Sequence, residues 1–270
     1  MKQEKPFSAI ILAADRGPED PVAQSAGVSC KALTPVLGRV MVLRVLDALA
    51  EADQTGQRFL VGPEIFAVEQ NQELSGLVSS GRVKWFAPQD TPSTSAFNVL
   101  QSLPDDTPVL VTTADHALLT AEMIDHFCSE ARASGCDVLA GVAEYEMIAE
   151  AVPGTRRTVT QLKDGGYCGC NLFAFMNPQS RKAADFWRKV EQERKKPLRI
   201  IKVMGWTAVI SYLLGRLSLE QALDKLSQRM GLRVGVVRMP FAEAAIDVDK
   251  VEDLLLVESI LTERQKRAPC

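Results

Sequence analysis

The chain has 270 residues, with 46% hydrophobic and 24% charged side chains and a formal net charge of −3. That length accommodates one large α/β domain, or a domain with a subdomain, around a substantial core. Slight acidity argues against a dedicated nucleic-acid-binding surface, which needs a basic face, but leaves room for a local basic pocket for a small anion.

In chain order, 8–14 (SAIILAA) is a short apolar run that predicts a buried parallel strand, and 35–50 carries apolar residues spaced for a helix packed on a sheet. RFLVGP (58–63) and KWFAP (84–88) read as strands. A helix is expected over 95–103, with Ser93, Thr94 or Ser95 as its cap. The clearest buried strand lies in TPVLVTTADHALLT (107–120), where the apolar run is cut off by Ala-Asp-His. An amphipathic helix over 121–135 follows, closed by Gly135, and then a strand over 136–144. From Tyr145 the pattern loosens; 153–175 reads as two extended segments joined by a Lys-Asp-Gly-Gly turn. A helix over 178–194, an apolar run at 203–215, a helix capped by Ser218 and a strand over 233–240 come next, and AAIDVDKVEDLLLVESIL closes as strand, acidic turn and helix.

Strands alternating with helices at this spacing predict an α/β fold built on a doubly wound, mostly parallel sheet, one domain over 1–270 with 178–232 as a helical insertion. Ligands of such sheets sit beyond the carboxyl ends of the strands. The two unusual strand ends, Ala13-Ala14-Asp15 and Asp115, are therefore expected to face one cleft. The six cysteines (Cys30, Cys128, Cys136, Cys168, Cys170, Cys270) form no CxxC and no framework, so they read as reduced thiols. No signal-peptide core follows MKQEKPF, so a cytoplasmic location is expected.

LAADRG…KALTPVLGRVMV resembles the LAAGxGxR…KxLxPVxGxPM signature of nucleotidyltransferases with the NTP-transferase (GT-A-type, Rossmann-like) fold, and within them the molybdenum-cofactor nucleotidyltransferase-like group. VGP (61–63), PSTSAFNVL (92–100), VLVTTADHALLT and AIDVDKVEDLLLVE extend the likeness over about 1–145 and 233–262. The resemblance implies attack by an acceptor oxygen on the α-phosphorus of an NTP, loss of pyrophosphate and a requirement for Mg²⁺. It implies that Lys31 and Arg16 contact the triphosphate, that Asp115 and Asp247 hold the metal, and that Ala13, Ala14, Gly17, Thr94 and Ser95 line the nucleotide. It also places Asn171 at the acceptor.

The residues suit such chemistry, because phosphoryl transfer is mostly positioning and electrostatic stabilisation. Asp249 competes with Asp247 as second ligand, or caps the last helix; Ser95 doubles as a helix cap; His116 is expected to pack or line the cleft. Two departures stand out. Asp15 replaces the usual glycine, and the stretch up to Lys31 is long, with 25–29 expected to move and close on substrate. The expected partners are an NTP and a small phosphorylated substrate. A GT-A-type glycosyltransferase and a nucleotide-binding protein without turnover are the alternatives. The 203–215 run is too short to span a bilayer, and reads as a core or homodimer-contact helix. Its second reading is an apolar platform at a membrane surface, with Arg194, Lys195, Lys196, Arg199 and Lys202 facing anionic headgroups.

Overall fold

The computed structural model describes residues 4–13, 19–193 and 206–267. In chain order its strands are β1 (Phe7–Leu12), β2 (Pro35–Val36), β3 (Arg39–Val40), β4 (Thr55–Val61), β5 (Val83–Phe86), β6 (Val109–Thr113), β7 (Val138–Glu144), β8 (Thr160–Leu162), β9 (Gly165–Phe175) and β10 (Val234–Arg238). The main sheet has the order β10-β7-β9-β6-β1-β4-β5, with β8 attached to β9. All of its pairings are parallel except those of β9 with β6, β7 and β8. The doubly wound, mostly parallel α/β architecture is therefore as expected.

All six residues of β1 are buried, because helices cover both faces of the sheet. Its alternation divides the core in two. Ala9 and Ile11 pack with Leu43, Leu46 and Leu49 of α2 (Met41–Glu51) and with Phe127 of α6 (Ala121–Ala133). Ile10 and Leu12 pack on the other side with Val99 and Leu100 of α5 (Pro92–Ser102) and Ala184 of α8 (Arg181–Glu193). A third cluster lies at the carboxyl edge. There Val22 of α1 (Pro21–Ala26), Val36, Leu118, Ile246, Val248 and Val257 of the C-terminal helix (Val251–Arg267) meet.

Several local expectations are corrected. The helix expected from Pro35 begins at Met41, because 35–40 forms a β2–β3 hairpin whose turn puts Leu37 and Gly38 at φ +47° and +77°. The cap of α5 is Thr91, whose hydroxyl accepts the Thr94 N–H, and not Ser93, Thr94 or Ser95. Residues 25–29, expected to move, contain the end of α1, a helix capped by Asp20 and closed by Gly27 in the left-handed conformation. Helices α3 (Ile65–Gln70), α4 (Gln72–Ser79) and α7 (Tyr145–Ala151) were hidden by weak periodicity. The last predicted strand is absent: Ala242–Ala245 is a 3₁₀ turn, and 246–249 is extended but joins no sheet. In the apolar run, Ile210, Tyr212, Leu213 and Leu214 are exposed, so its described end is not core. The basic cluster Arg194, Lys195, Lys196, Arg199 and Lys202 lies outside the described residues. Among the described residues no helix is long and apolar enough to cross a membrane.

Phe127 is fully buried between α6 and the sheet. Phe127→Ala is expected to cost about 3–5 kcal/mol in urea unfolding, the usual penalty for emptying an aromatic site in a packed core.

Candidate active site

The site forms where β1 separates two halves of the sheet, with β4 on one side and β6 on the other, the switch point at which such sheets open a crevice. Backbone bonds lock the strand tips together: the Ala13 N–H donates to the Val61 carbonyl and the Ala114 N–H to the Leu12 carbonyl, each at 2.9 Å. Asp115 follows directly and is released from capping duty, because Thr120 caps α6. A second acidic segment is tied to it by a 3.0 Å bond from the Val248 N–H to the Asp115 carbonyl. Within this segment Ile246 and Val248 are buried in the third core cluster. Extended backbone alternates its faces, so Asp247 and Asp249 turn the other way, toward the cleft. Lys31 begins a 3₁₀ turn (Lys31–Leu33) anchored by buried Ala32 and Leu33.

Charge pairing completes the arrangement. The Lys31 Nζ donates to Asp115 Oδ2 at 2.7 Å and to Asp249 Oδ1 at 3.1 Å. Burial by itself would lower the lysine pKa, but the charges and hydrogen bonds of Asp115 and Asp249 outweigh it and hold the pKa above its ordinary value. Lys31 is thus a permanent cation at neutral pH. The other oxygen of Asp115, Oδ1, is buried and has no hydrogen-bond partner among the described residues. Asp247 is gripped on both oxygens, by Arg157 Nη1 on Oδ1 at 3.1 Å and by Asn171 Nδ2 on Oδ2 at 3.0 Å. Burial first, then the charges of Asp115 and Asp249, push its pKa above the usual carboxylate value, against the pull of Arg157. Arg157 also binds Asp253 at 3.0 Å. Among the described residues four carboxylates here face two cations, a surplus of negative charge that another cation would offset.

Asn171 arrives through a break in strand pairing. On β7 the partners pass from Ala140 to Val142, a step of two, while on β9 they pass from Phe173 to Gly169, a step of four. The extra residues bulge, and Asn171 adopts φ +49°. Bulges commonly re-aim side chains at sites, and a non-glycine residue in this conformation costs energy that the bond to Asp247 offsets. The structure thus brings together Lys31, Asp115, Asp247 and Asn171, with Ala13 at the β1 tip. Thr94 and Ser95 stand at the start of α5, already engaged: the Thr94 hydroxyl with Thr91, and the buried Ser95 hydroxyl as acceptor of the Gln89 N–H. Ala14, Asp15, Arg16 and Gly17 lie outside the described residues.

Comparison with known proteins gives the arrangement a family. The MobA-like NTP transferase domain profile matches residues 9–237. The chain belongs to that family. A hypothetical transferase from Thermus thermophilus superposes with TM-score 0.76 at 30% identity, covering 92% of this chain and 99% of that one. The 4-diphosphocytidyl-2C-methyl-D-erythritol synthase of Anaerococcus prevotii gives TM-score 0.59 at 16% identity, over 96% of this chain and 97% of that chain. A CMP:2-keto-3-deoxy-manno-octonic acid synthetase complexed with CTP gives 0.57 at 10%, over 97% and 100%; these last two share the fold. No curated protein matches the chain. As a member of the NTP transferase family the chain is a nucleotidyltransferase-type enzyme, and the resemblance read from the first motif holds.

In this NTP transferase, one residue beside the carboxylates escaped the sequence motifs. Arg157 sits in a polar loop and looks like any solvated arginine, yet its side chain is only 7% exposed. Asp249, weighed as a competing second ligand or a helix cap, pairs with Lys31, and it is Asp253 that accepts the Asp249 and Lys250 N–H groups at the helix start. His116 is packed, as one of its expected roles required, and among the described residues neither ring nitrogen finds a hydrogen-bond partner. A groove beside the β2–β3 hairpin is lined by Arg39 and Glu73, which pair with each other, and lies apart from these carboxylates.

Two tests follow from this geometry. Asn171→Ala and Asn171→Gly both lose the bond to Asp247, but glycine tolerates the positive φ. The glycine variant should therefore be the more stable of the two by up to ~1 kcal/mol in urea unfolding. For His116, burial lowers the pKa from 6.5 to about 4, opposed by the charge of Asp115. The unfolded chain takes up this proton first as pH falls, so the stability present above about pH 6.5 is lost toward pH 4, by on the order of 3 kcal/mol. His116→Leu should show a distinctly smaller fall than the parent between pH 7 and 4.5.

Proposed function

We propose that this enzyme transfers a nucleotidyl group from an NTP to a small phosphorylated acceptor, with Mg²⁺ as cofactor and pyrophosphate as the leaving product. The observation that carries the reading is Asp115 at the β6 tip, with one oxygen on Lys31 and the other buried and, among the described residues, partnerless. An orphaned carboxylate oxygen is costly unless a cation takes it. Asp115 and Asp247 supply hard oxygen donors of the kind Mg²⁺ prefers, and among the described residues no three acidic, histidine or cysteine side chains close into a cage. That suits an ion which brings water and phosphate oxygens of its own. When bound, it would neutralise charge on the phosphates during displacement.

The protein's own groups account for the rest. The Lys31 ammonium, a compact point charge, is placed to leave its carboxylates for a phosphate oxygen as the triphosphate enters. Main-chain groups around Ala13 face the nucleotide, and Gly17 and Arg16 belong to the phosphate-facing loop of the motif. Asn171 is close enough to the carboxylates to orient an acceptor. An acceptor phosphate is already ionised near neutrality, so no general base is required, which agrees with the neutral, buried state of His116.

Incubation with each NTP, Mg²⁺ and a panel of phosphorylated alcohols should release pyrophosphate for one combination. Lys31→Ala and Asp115→Asn should each lower that rate by about 10²–10³, with circular dichroism unchanged, since each removes an electrostatic stabiliser. Full activity in either variant, or no pyrophosphate from any pair, would defeat the reading.

A further inference from the structure

We infer that Arg157 is a positioning residue that holds the second carboxylate of the site, Asp247, in place; the inference rests on the reading of Asp115 and Asp247 as a cation site. Four hydrogen bonds fix its guanidinium. Nε donates to the Thr155 hydroxyl at 3.3 Å, Nη1 to the Asp247 carbonyl at 3.2 Å and to its Oδ1 at 3.1 Å, and Nη2 to Asp253 Oδ1 at 3.0 Å. One planar group thus grips backbone and side chain of Asp247 together with the first turn of the C-terminal helix. Asp253 uses its other oxygen to accept the Asp249 and Lys250 N–H groups, at 3.2 and 3.0 Å. The loop from Asp247 to Asp253 is therefore closed on itself through Arg157.

Position and charge are both served by this clasp. The 246–249 segment belongs to no sheet, so ladder bonds do not hold it; its backbone is tied by the Ile246 N–H to the Glu243 carbonyl, the Val248 N–H to the Asp115 carbonyl and the Asp249 N–H to Asp253, and Asp253 is itself held by Arg157. Asp247 feels the negative charges of Asp115 and Asp249, and the buried Arg157 guanidinium at 3.1 Å sets a cation against that repulsion. Lysine could supply the charge but not the fork that reaches carbonyl, carboxylate and Asp253 at once. The clasp also leaves coordination capacity. A carboxylate offers about four lone-pair sites, and Arg157 and Asn171 occupy two on Asp247. Arg157 consequently supports a cation at Asp247 without competing for the whole group.

The test uses Mn²⁺ alone as probe, followed by loss of the free-ion electron paramagnetic resonance signal, and hydrogen–deuterium exchange of peptides spanning 244–254. Arg157→Ala should weaken Mn²⁺ binding at least ten-fold and speed exchange in 244–254, with exchange in β1 and β6 unchanged. Arg157→Lys should recover part of the affinity. Asp253→Asn, which loosens the anchor without touching Asp247, should weaken binding by a smaller factor, and the two conservative variants decide the matter if Arg157→Ala does not fold. Unchanged exchange in 244–254, or Mn²⁺ affinity equal to or tighter than the parent in Arg157→Lys and Asp253→Asn, overturns the role. Asp115→Asn is the control. If the parent binds Mn²⁺ no better than Asp115→Asn, the cation site itself fails, while the exchange data still judge the clasp.

Discussion

Concentrated negative charge at the carboxyl edge of the sheet is the constraint around which this structure is arranged. Asp115, Asp247 and Asp249 are brought toward one point by apolar packing beneath them, since Ile246 and Val248 must be buried against Leu118 and Val22. Burial forces the intervening carboxylates outward, and their mutual repulsion must then be balanced. Lys31 balances it at Asp115 and Asp249, Arg157 at Asp247 and Asp253. Each of these cations is held by more than one acid, so neither is a simple surface pair of small worth. What the arrangement leaves over, among the described residues, is negative charge and a buried acceptor atom, the electrostatic counterpart of a cation.

The same packing links distant parts of the chain. Lys31 and Asp249 are 218 positions apart, and Arg157 and Asp247 are 90 apart. The third core cluster gathers α1, the β2–β3 hairpin, the residues after β6 and the C-terminal helix onto a single edge. A change there, far from any ligand, would reach the site by shifting one of its acids against the others. The site is accordingly a product of the closing of the domain, with the last helix as its final piece.

A strained element reaches the same carboxylates. Asn171 keeps a left-handed backbone within a long strand, at a bulge that no propensity argument would place there. Its side chain meets the carboxylate oxygen that Arg157 leaves open. The bulge and the clasp act on one acid from opposite sides, which fixes the orientation of Asp247 more tightly than either would.

The sequence by itself determined the alternating strands and helices and the burial of β1 and β6, and it singled out Lys31, Asp115, Asp247 and Asn171, which the structure brings to one edge, because period and motif order are local properties of the chain. It misjudged 35–40 and 242–249, where a tight turn and an unpaired extended segment imitate helix and strand: short apolar runs carry little periodicity. Only the tertiary structure decided that Arg157 is buried among acids, that Asp249 pairs with Lys31 and that Ser95 serves the Gln89 backbone. An arginine in a polar loop has no local signature of its partner. That partner is chosen by which segments pack together, and the choice is made by the whole core at once.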